Sequence, residues 1–146
     1  HKYGVNICFR MNSVYGNASG VEHFRALIEL VKKCGQENAI FSGNLAHIPM
    51  LKAFTDNWHG QVYINNEDTQ EVYNMIDNYV ANGWTNMSIL ATYNATTKEV
   101  VEYCHSKGYK YCVCDIPTEL DVDTVIEKLI SYGVDICQSG GHFYRQ

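Results

Sequence analysis

The chain has 146 residues, of which 46% are hydrophobic, 12% aromatic and 18% charged, a composition that excludes disordered, collagenous and coiled-coil proteins. Eleven Lys and Arg against sixteen Asp and Glu give a net charge of −5. We therefore expect no nucleic-acid partner, because such binding needs a basic surface. No apolar run approaches the roughly 18 to 20 residues that cross a bilayer, so we expect a soluble chain without a transmembrane segment.

Six strands are predicted, because short runs rich in β-branched and aromatic residues alternate with longer runs of helical period. These runs are apolar at nearly every position, which is typical of parallel strands that are covered by helices. The predicted strands, in chain order, are Val5–Met11, Ala39–Ser42, Gln61–Asn65, Met87–Thr92, Lys110–Asp115 and Val134–Cys137.

Five helices are predicted between these strands. Apolar residues recur at intervals of three and four over residues 21–31, 72–80, 100–104 and 125–130. A short helix is expected to begin near Pro49, because proline is tolerated only in a first helical turn. Gly83, Gly108 and Gly133 each follow a predicted helix and lie 25 residues apart.

This 25-residue βα repeat has the length of one unit of a (β/α)8 barrel, which needs about 250 residues. The sequence therefore predicts an α/β fold of TIM-barrel type with parallel strands and about six of the eight βα units. No linker divides the chain, so residues 1–146 are expected to form one incomplete domain. A doubly wound sheet of six strands is the alternative, although neither G-x-G-x-x-G nor a P-loop supports it.

The six cysteines have neither zinc-finger nor C-x-x-C spacing. Cys112 and Cys114 share an apolar strand, and Cys34 and Cys104 fall on apolar helix faces. Unpaired cysteine behaves as a small hydrophobic residue, so we predict free, mostly buried thiols. Free thiols favour a reducing compartment such as the cytoplasm, and nothing else in the sequence indicates a location.

Four runs carry a family resemblance. Tyr3-Gly-Val-Asn-Ile-Cys-Phe-Arg10 is similar to a strand of the form G-x-N-I-E-I-K, and Ile40-Phe-Ser-Gly-Asn44 is similar to a strand beginning I-S-S-F. Residues 99–115 are similar to a helix that ends in the turn A-x-x-x-G-L-K-V and to the strand V-W-T. Residues 133–139 are similar to a final run of the form G-V-D-G-I-I-T-D. In this order the runs resemble the glycerophosphodiester phosphodiesterase family, (β/α)8 barrels akin to phosphatidylinositol phospholipase C.

The resemblance implies hydrolysis of a glycerophosphodiester to glycerol phosphate and an alcohol. In that family carboxylates hold a divalent cation, Mg²⁺ or Ca²⁺, and two histidines act as acid and base. The family's H-R-G, E-x-D and second histidine belong to its first two strands, whereas the matched runs begin at the third. No catalytic residue and no metal ligand can therefore be assigned in this sequence, and whether it is an enzyme stays open.

The family's third carboxylate ligand, the Glu of N-I-E-I-K, falls on Cys8, and the following Lys falls on Arg10. A cysteine is a poor ligand for a hard cation, whereas an arginine can grip a phosphate with two donors. Strand alternation places both on the face that would line a barrel. Equally open is a structural role, in which Cys8 fills space and Arg10 pairs with a carboxylate.

The predicted substrate-binding residues stand where strands end, because ligands of such barrels bind at the carboxyl ends of the strands. Asn-rich loops have an equally good explanation as turns and caps. His47 and His59 are expected near loops, and His142 near the end of the chain. The substrate-binding residues are Arg10, Ser42, Asn44 and Asp115, and further candidates for the pocket lining are Asn12, Asn65, Asn66, Tyr93 and Ser139.

Three functional hypotheses remain. The chain is a glycerophosphodiester phosphodiesterase-like domain that binds a glycerophosphodiester or other phosphate-bearing small molecule and is inactive by itself. Alternatively it is a degenerate barrel with a binding or structural role, or a related phosphodiesterase or lyase acting on phospholipids. Six units leave the first and last strands as sheet edges, so we also expect self-association, low stability or cover by another segment.

Overall fold

A computed structural model describes residues 8–10, 18–36, 38–64 and 66–138, without the side chains of residues 10 and 18–20. Strands and α-helices alternate along the chain, as the hydrophobic pattern predicts. Two 3-10 turns, Leu45–His47 and Tyr93–Ala95, follow the second and fourth strands. The elements are β1 (Cys8–Arg10), α1 (Ala18–Lys33), β2 (Ile40–Gly43), α2 (Ile48–Phe54), β3 (Trp58–Ile64), α3 (Thr69–Ala81), β4 (Met87–Thr92), α4 (Lys98–Ser106), β5 (Lys110–Cys114), α5 (Val122–Tyr132) and β6 (Ile136–Cys137).

The chain divides into two compact units, residues 1–61 and 62–146, with the boundary inside β3. In the first unit the strand order is β1-β2-β3, and in the second it is β3-β4-β5-β6. The pairings of β1 with β2, β2 with β3, β4 with β5 and β5 with β6 are all parallel. Each unit thus contains parallel strands that follow one another in chain order.

The core of the first unit lies between α1 and one side of the strands. Phe24, Ile28 and Val31 of α1 are buried against Phe41 of β2 and Leu51 of α2. The Phe24 and Phe41 rings meet edge to face with centroids 5.6 Å apart. The apolar pattern of the sequence predicts both this stripe of α1 and this strand. The contacts show that one face of β2 packs against α1.

The core of the second unit is built around β4 and β5. Ile89, Tyr111 and Val113 are fully buried, as are Ile76 of α3 and Val101 of α4. The Tyr111 hydroxyl lies 3.2 Å from the Thr96 hydroxyl, so this phenol has a buried hydrogen-bond partner. Burial raises the pKa of Tyr111 to about 12, and the group is therefore neutral at physiological pH.

The predicted glycine stops are confirmed. Gly83, Gly108 and Gly133 directly follow the last turns of α3, α4 and α5 with φ of 79°, 77° and 81°. This left-handed conformation lets the backbone close the helix end, and glycine adopts it without a steric penalty. The short helix expected near Pro49 is α2, which has this proline in its first turn.

The cysteine predictions are partly confirmed. None of the six cysteines is in a disulfide bond, and Cys104, Cys112 and Cys114 are buried. The expectation that Cys34 lies on a buried helix face is wrong, since it is exposed just beyond the end of α1, where the chain turns at Gly35. Among the described helices, none is both long and apolar enough to cross a membrane.

Candidate functional site

A row of polar residues in register crosses the three strands of the first unit. Arg10 of β1 is the register partner of Ser42 in β2, and Ser42 is the partner of His59 in β3. Ser42 is fully buried and His59 is 1% exposed. On the opposite side of these strands, Phe9 and Trp58 pack against the apolar core of α1 and α2. The row therefore belongs to the side of the strands that these helices do not cover.

Cys8 and Gln61 extend this row along the strands. The Cys8 thiol donates a weak hydrogen bond to the Ser42 hydroxyl, with Sγ and Oγ 3.8 Å apart. Gln61 follows His59 by two residues, so its side chain points to the same side of β3. We call the side chains of Cys8, Ser42, His59 and Gln61 the polar face. It combines a thiol, a hydroxyl, an imidazole and an amide.

Asn44, a predicted substrate-binding residue, lies directly beyond β2. Its Oδ1 accepts a hydrogen bond from the Ala46 N–H at 3.0 Å, and its own N–H donates to Nδ1 of His47 at 3.3 Å. His47, expected near a loop, is buried in the 3-10 turn. A Cβ placed on Gly43 would lie 2.8 Å from the His47 Cβ, so only glycine fits there without displacement. These contacts fix the backbone immediately after Ser42.

Asp115 directly follows β5, in the second unit. It is exposed and adopts a left-handed backbone with φ of 53°. Tyr63, near the carboxyl end of β3, is 48% exposed. Partial burial, followed by the nearby Cys114 thiol and Asp115 carboxylate, raises the pKa of Tyr63. The ends of β3 and β5 thus bring a carboxylate and a phenol into electrostatic contact.

The remaining sequence candidates have varied positions. Asn66 forms a turn in which its Oδ1 accepts from the Asp68 N–H at 2.8 Å. The Tyr93 ring lies beneath the Lys128 ammonium, whose Nζ is 5.0 Å from the ring centroid. The Arg10 backbone lies in β1, while its side chain is outside the described part of the chain. Four further candidates, Asn12, Asn65, Ser139 and His142, also lie outside the described residues.

Sequence reasoning missed His59, Gln61 and Tyr63, because it began β3 at Gln61 and expected His59 near a loop. The structure begins β3 at Trp58, and the placement of His59 near a loop is wrong. Over residues 59–64, His, Gln and Tyr alternate with Gly, Val and Ile. Such alternation is typical of a strand with one polar side, and it was the available signal.

The polar face does not fit a hard divalent cation by itself. Mg²⁺ and Ca²⁺ prefer carboxylate oxygens, whereas the four side chains here are uncharged or weakly basic and include no carboxylate. Cys8, at the position of the family's glutamate, contributes sulfur. Among the described residues, no group of three His, Cys, Asp or Glu side chains is arranged to hold a metal ion.

Comparison with known proteins gives structural similarity only. No protein-family model and no curated protein sequence matches the chain. The structure resembles a crystal structure from Agrobacterium tumefaciens strain C58 that is assigned as a glycerophosphoryl diester phosphodiesterase, with a TM-score of 0.57 and 17% identity. The match covers 91% of this chain and 53% of that one, so this chain spans about half the length of its structural neighbour.

At 17% identity this likeness establishes the fold and nothing finer. The parallel strands in chain order, the alternating helices and the structural neighbour agree with one another. The expected class is confirmed: the chain has an α/β fold of TIM-barrel type that resembles a glycerophosphoryl diester phosphodiesterase.

Proposed function

We propose that this chain binds a phosphate-bearing small molecule, a glycerophosphodiester or its glycerol phosphate product, and does not hydrolyse it by itself. The backbone register of Arg10 with Ser42 and of Ser42 with His59, the last two of which are buried, is the observation that carries this proposal. The structural neighbour also supports the proposal, because it is assigned as a glycerophosphoryl diester phosphodiesterase.

The chemistry of the row suits a phosphate ester. A guanidinium forms two parallel hydrogen bonds with phosphate oxygens, and such charge-assisted bonds are roughly twice as strong as neutral ones. A serine hydroxyl and an imidazole add further donors. The register pairs the backbone of Arg10 with that of Ser42, so the two residues stand at the same level along their strands.

Binding without hydrolysis follows from the donor set. Phosphodiester cleavage needs charge neutralisation at the phosphoryl group, a base and an acid. The polar face does not fit the divalent cation that the family employs, so we assign it to ligand recognition. If the isolated chain releases glycerol 3-phosphate from glycerophosphocholine in the presence of Mg²⁺ or Ca²⁺, the enzymatic alternative replaces this proposal.

The test is calorimetric titration of the chain with glycerol 3-phosphate and glycerophosphocholine. We expect saturable binding, and a loss of about 10- to 100-fold in affinity in Arg10→Met, because a charge-assisted hydrogen bond contributes about 1.5–3 kcal/mol. Arg25→Met is the matched control, since Arg25 is exposed on α1 and pairs with Glu22 at 2.6 Å. Absence of binding by the unmodified chain rejects the function, and equal affinities of the two variants reject the role of Arg10.

A further inference from the structure

Asn82 and Gly83 directly follow α3 and form the one Asn-Gly pair in the sequence. Asn82 is exposed, and Gly83 has no Cβ that would shield its backbone nitrogen. An asparagine side chain can react with the backbone nitrogen of the next residue, which is one reason why asparagine is thermolabile. The end of α3 therefore carries a reactive side chain that the proposed function does not use.

The reaction joins two groups that are neighbours in the chain. The Gly83 nitrogen attacks Cγ of Asn82, a C–N bond forms, and the side-chain nitrogen leaves as ammonia with the proton that the Gly83 nitrogen gives up. One water molecule then opens the resulting five-membered imide at either carbonyl carbon. The net change converts an asparagine and a water molecule into ammonia and an aspartate that is linked through its α- or its β-carboxyl group.

The cap of α3 keeps the reacting atoms apart. The Gly83 N–H donates to the Val80 carbonyl at 3.0 Å. The Asn82 Nδ2 donates to the Asn78 carbonyl at 2.8 Å. The imide ring needs the Gly83 nitrogen eclipsed with Cβ of Asn82, whereas the observed ψ of 6° eclipses it with the backbone nitrogen of Asn82. Ring closure therefore requires that the last turn of α3 opens.

A buried tyrosine holds the chain just beyond this cap. Trp84 follows Gly83, and its N–H donates to the Tyr79 carbonyl at 3.1 Å. The Trp84 carbonyl accepts a hydrogen bond from the Tyr109 hydroxyl at 2.6 Å. Tyr109 is 3% exposed and directly precedes β5, so this bond ties the segment after α3 to the core of the second unit. Opening of the helix end thus competes with a bond from a buried side chain.

We propose that Asn82 is a site of spontaneous deamidation, and that the closed end of α3, held by Tyr109, sets its rate in the folded chain. This inference does not depend on the proposed function. The product places a carboxylate beside the last carbonyl groups of α3, where the helix dipole disfavours negative charge. It also lacks the Nδ2 donor that bonds the Asn78 carbonyl. The modified chain is therefore less stable than the original.

Mass spectrometry of peptides from the unmodified chain tests the site. The chain is incubated at mildly alkaline pH, once folded and once unfolded in urea. In urea we expect Asn82 to react faster than Asn86 and Asn94, which precede the larger residues Met87 and Ala95. In the folded chain we expect the reaction of Asn82 to be at least about tenfold slower, because local opening must come first. If Asn82 reacts no faster than the other two in urea, or equally fast in both states, the proposal is overturned.

Tyr109→Phe tests the tether, because it removes the hydroxyl and keeps the ring. We expect Asn82 in the folded variant to react about two- to tenfold faster than in the unmodified chain, as for the loss of one hydrogen bond. The rate in urea is expected to be unchanged. Tyr132→Phe is the matched control, since it makes the same change on α5 and is expected to keep the original rate. Equal rates in the two folded variants reject the control by Tyr109.

The effect of the product is measured with Asn82→Asp, which has the structure of the α-linked product. We expect it to unfold about 1–4 °C below Asn82→Gln, which keeps a neutral amide at this helix end. Equal unfolding temperatures of the two variants contradict the expected destabilisation.

Discussion

Asp115 combines a left-handed backbone conformation with a predicted role in ligand binding. Its φ of 53° lies in the left-handed region, where a side chain with a Cβ is disfavoured by roughly 1–2 kcal/mol and where Asp and Asn are tolerated best. The sequence predicted a polar group at this strand end from the rule that ligands meet the carboxyl ends of parallel strands. It could not predict the φ value, because that depends on how the chain leaves β5.

Substitution of Asp115 separates these two roles. We expect Asp115→Val to lower the free energy of unfolding by about 1–2 kcal/mol, because a β-branched residue fits left-handed backbone poorly. Asp115→Asn should stay within about 0.5 kcal/mol of the unmodified chain while it removes the charge. Urea denaturation measures both changes. If the two variants are equally stable, the backbone of residue 115 is not held in the left-handed region.

The helices were predictable as elements because their apolar stripes and glycine stops are local signals. Their beginnings are equally local: Asp68, Thr97 and Asp121 each accept hydrogen bonds from the first turn of α3, α4 and α5. The strand β3 was harder to predict, because His59 and Gly60 interrupt the apolar run that identifies a doubly covered strand. Its start depends on parallel pairing with β2, a contact between residues distant in sequence.

The α5 cap gives a pH-dependent contribution to stability. Asp121 Oδ2 accepts from the Thr124 hydroxyl at 2.7 Å and from the Thr124 N–H at 2.9 Å, and these two bonds lower the pKa of Asp121 below 3.8. A carboxyl group with a lowered folded-state pKa stabilises the fold above its unfolded-state pKa. That contribution is lost as the pH falls through the folded-state value.

Asp121→Asn is therefore expected to be less stable than the unmodified chain at pH 7, because the charged cap also favours the helix N-terminus. The difference should shrink as the pH is lowered from about 4 toward 2, where the carboxyl group becomes neutral. Urea unfolding at four pH values measures this difference. A difference that stays constant over that range contradicts the assignment to the ionised cap.

At the scale of the whole molecule, β1 and β6 are the terminal strands among those that the structure describes, where β1 pairs with β2 and β6 pairs with β5. The sequence predicted these edges from the number of βα units. Backbone groups at a sheet edge are open to pairing with another strand.

We expect the isolated chain to self-associate under reducing conditions, with sedimentation coefficients that rise with protein concentration. Cys137→Lys should weaken this association, since a charge on the edge strand β6 opposes strand pairing. Cys34→Lys is the control, because Cys34 is also an exposed cysteine but lies beyond α1. A sedimentation coefficient that is independent of concentration for the unmodified chain contradicts the prediction.

The even spacing of the three helix-ending glycines has a consequence for how such a chain can change length. Each glycine is followed by an apolar residue and then by the next strand, as in Gly83-Trp84, Gly108-Tyr109 and Gly133-Val134. Removal of residues 84–108 would join Gly83 to Tyr109 and recreate the junction it deletes. Loss or duplication of one such 25-residue unit therefore removes or adds one strand and one helix and keeps a glycine followed by an aromatic residue at the new junction.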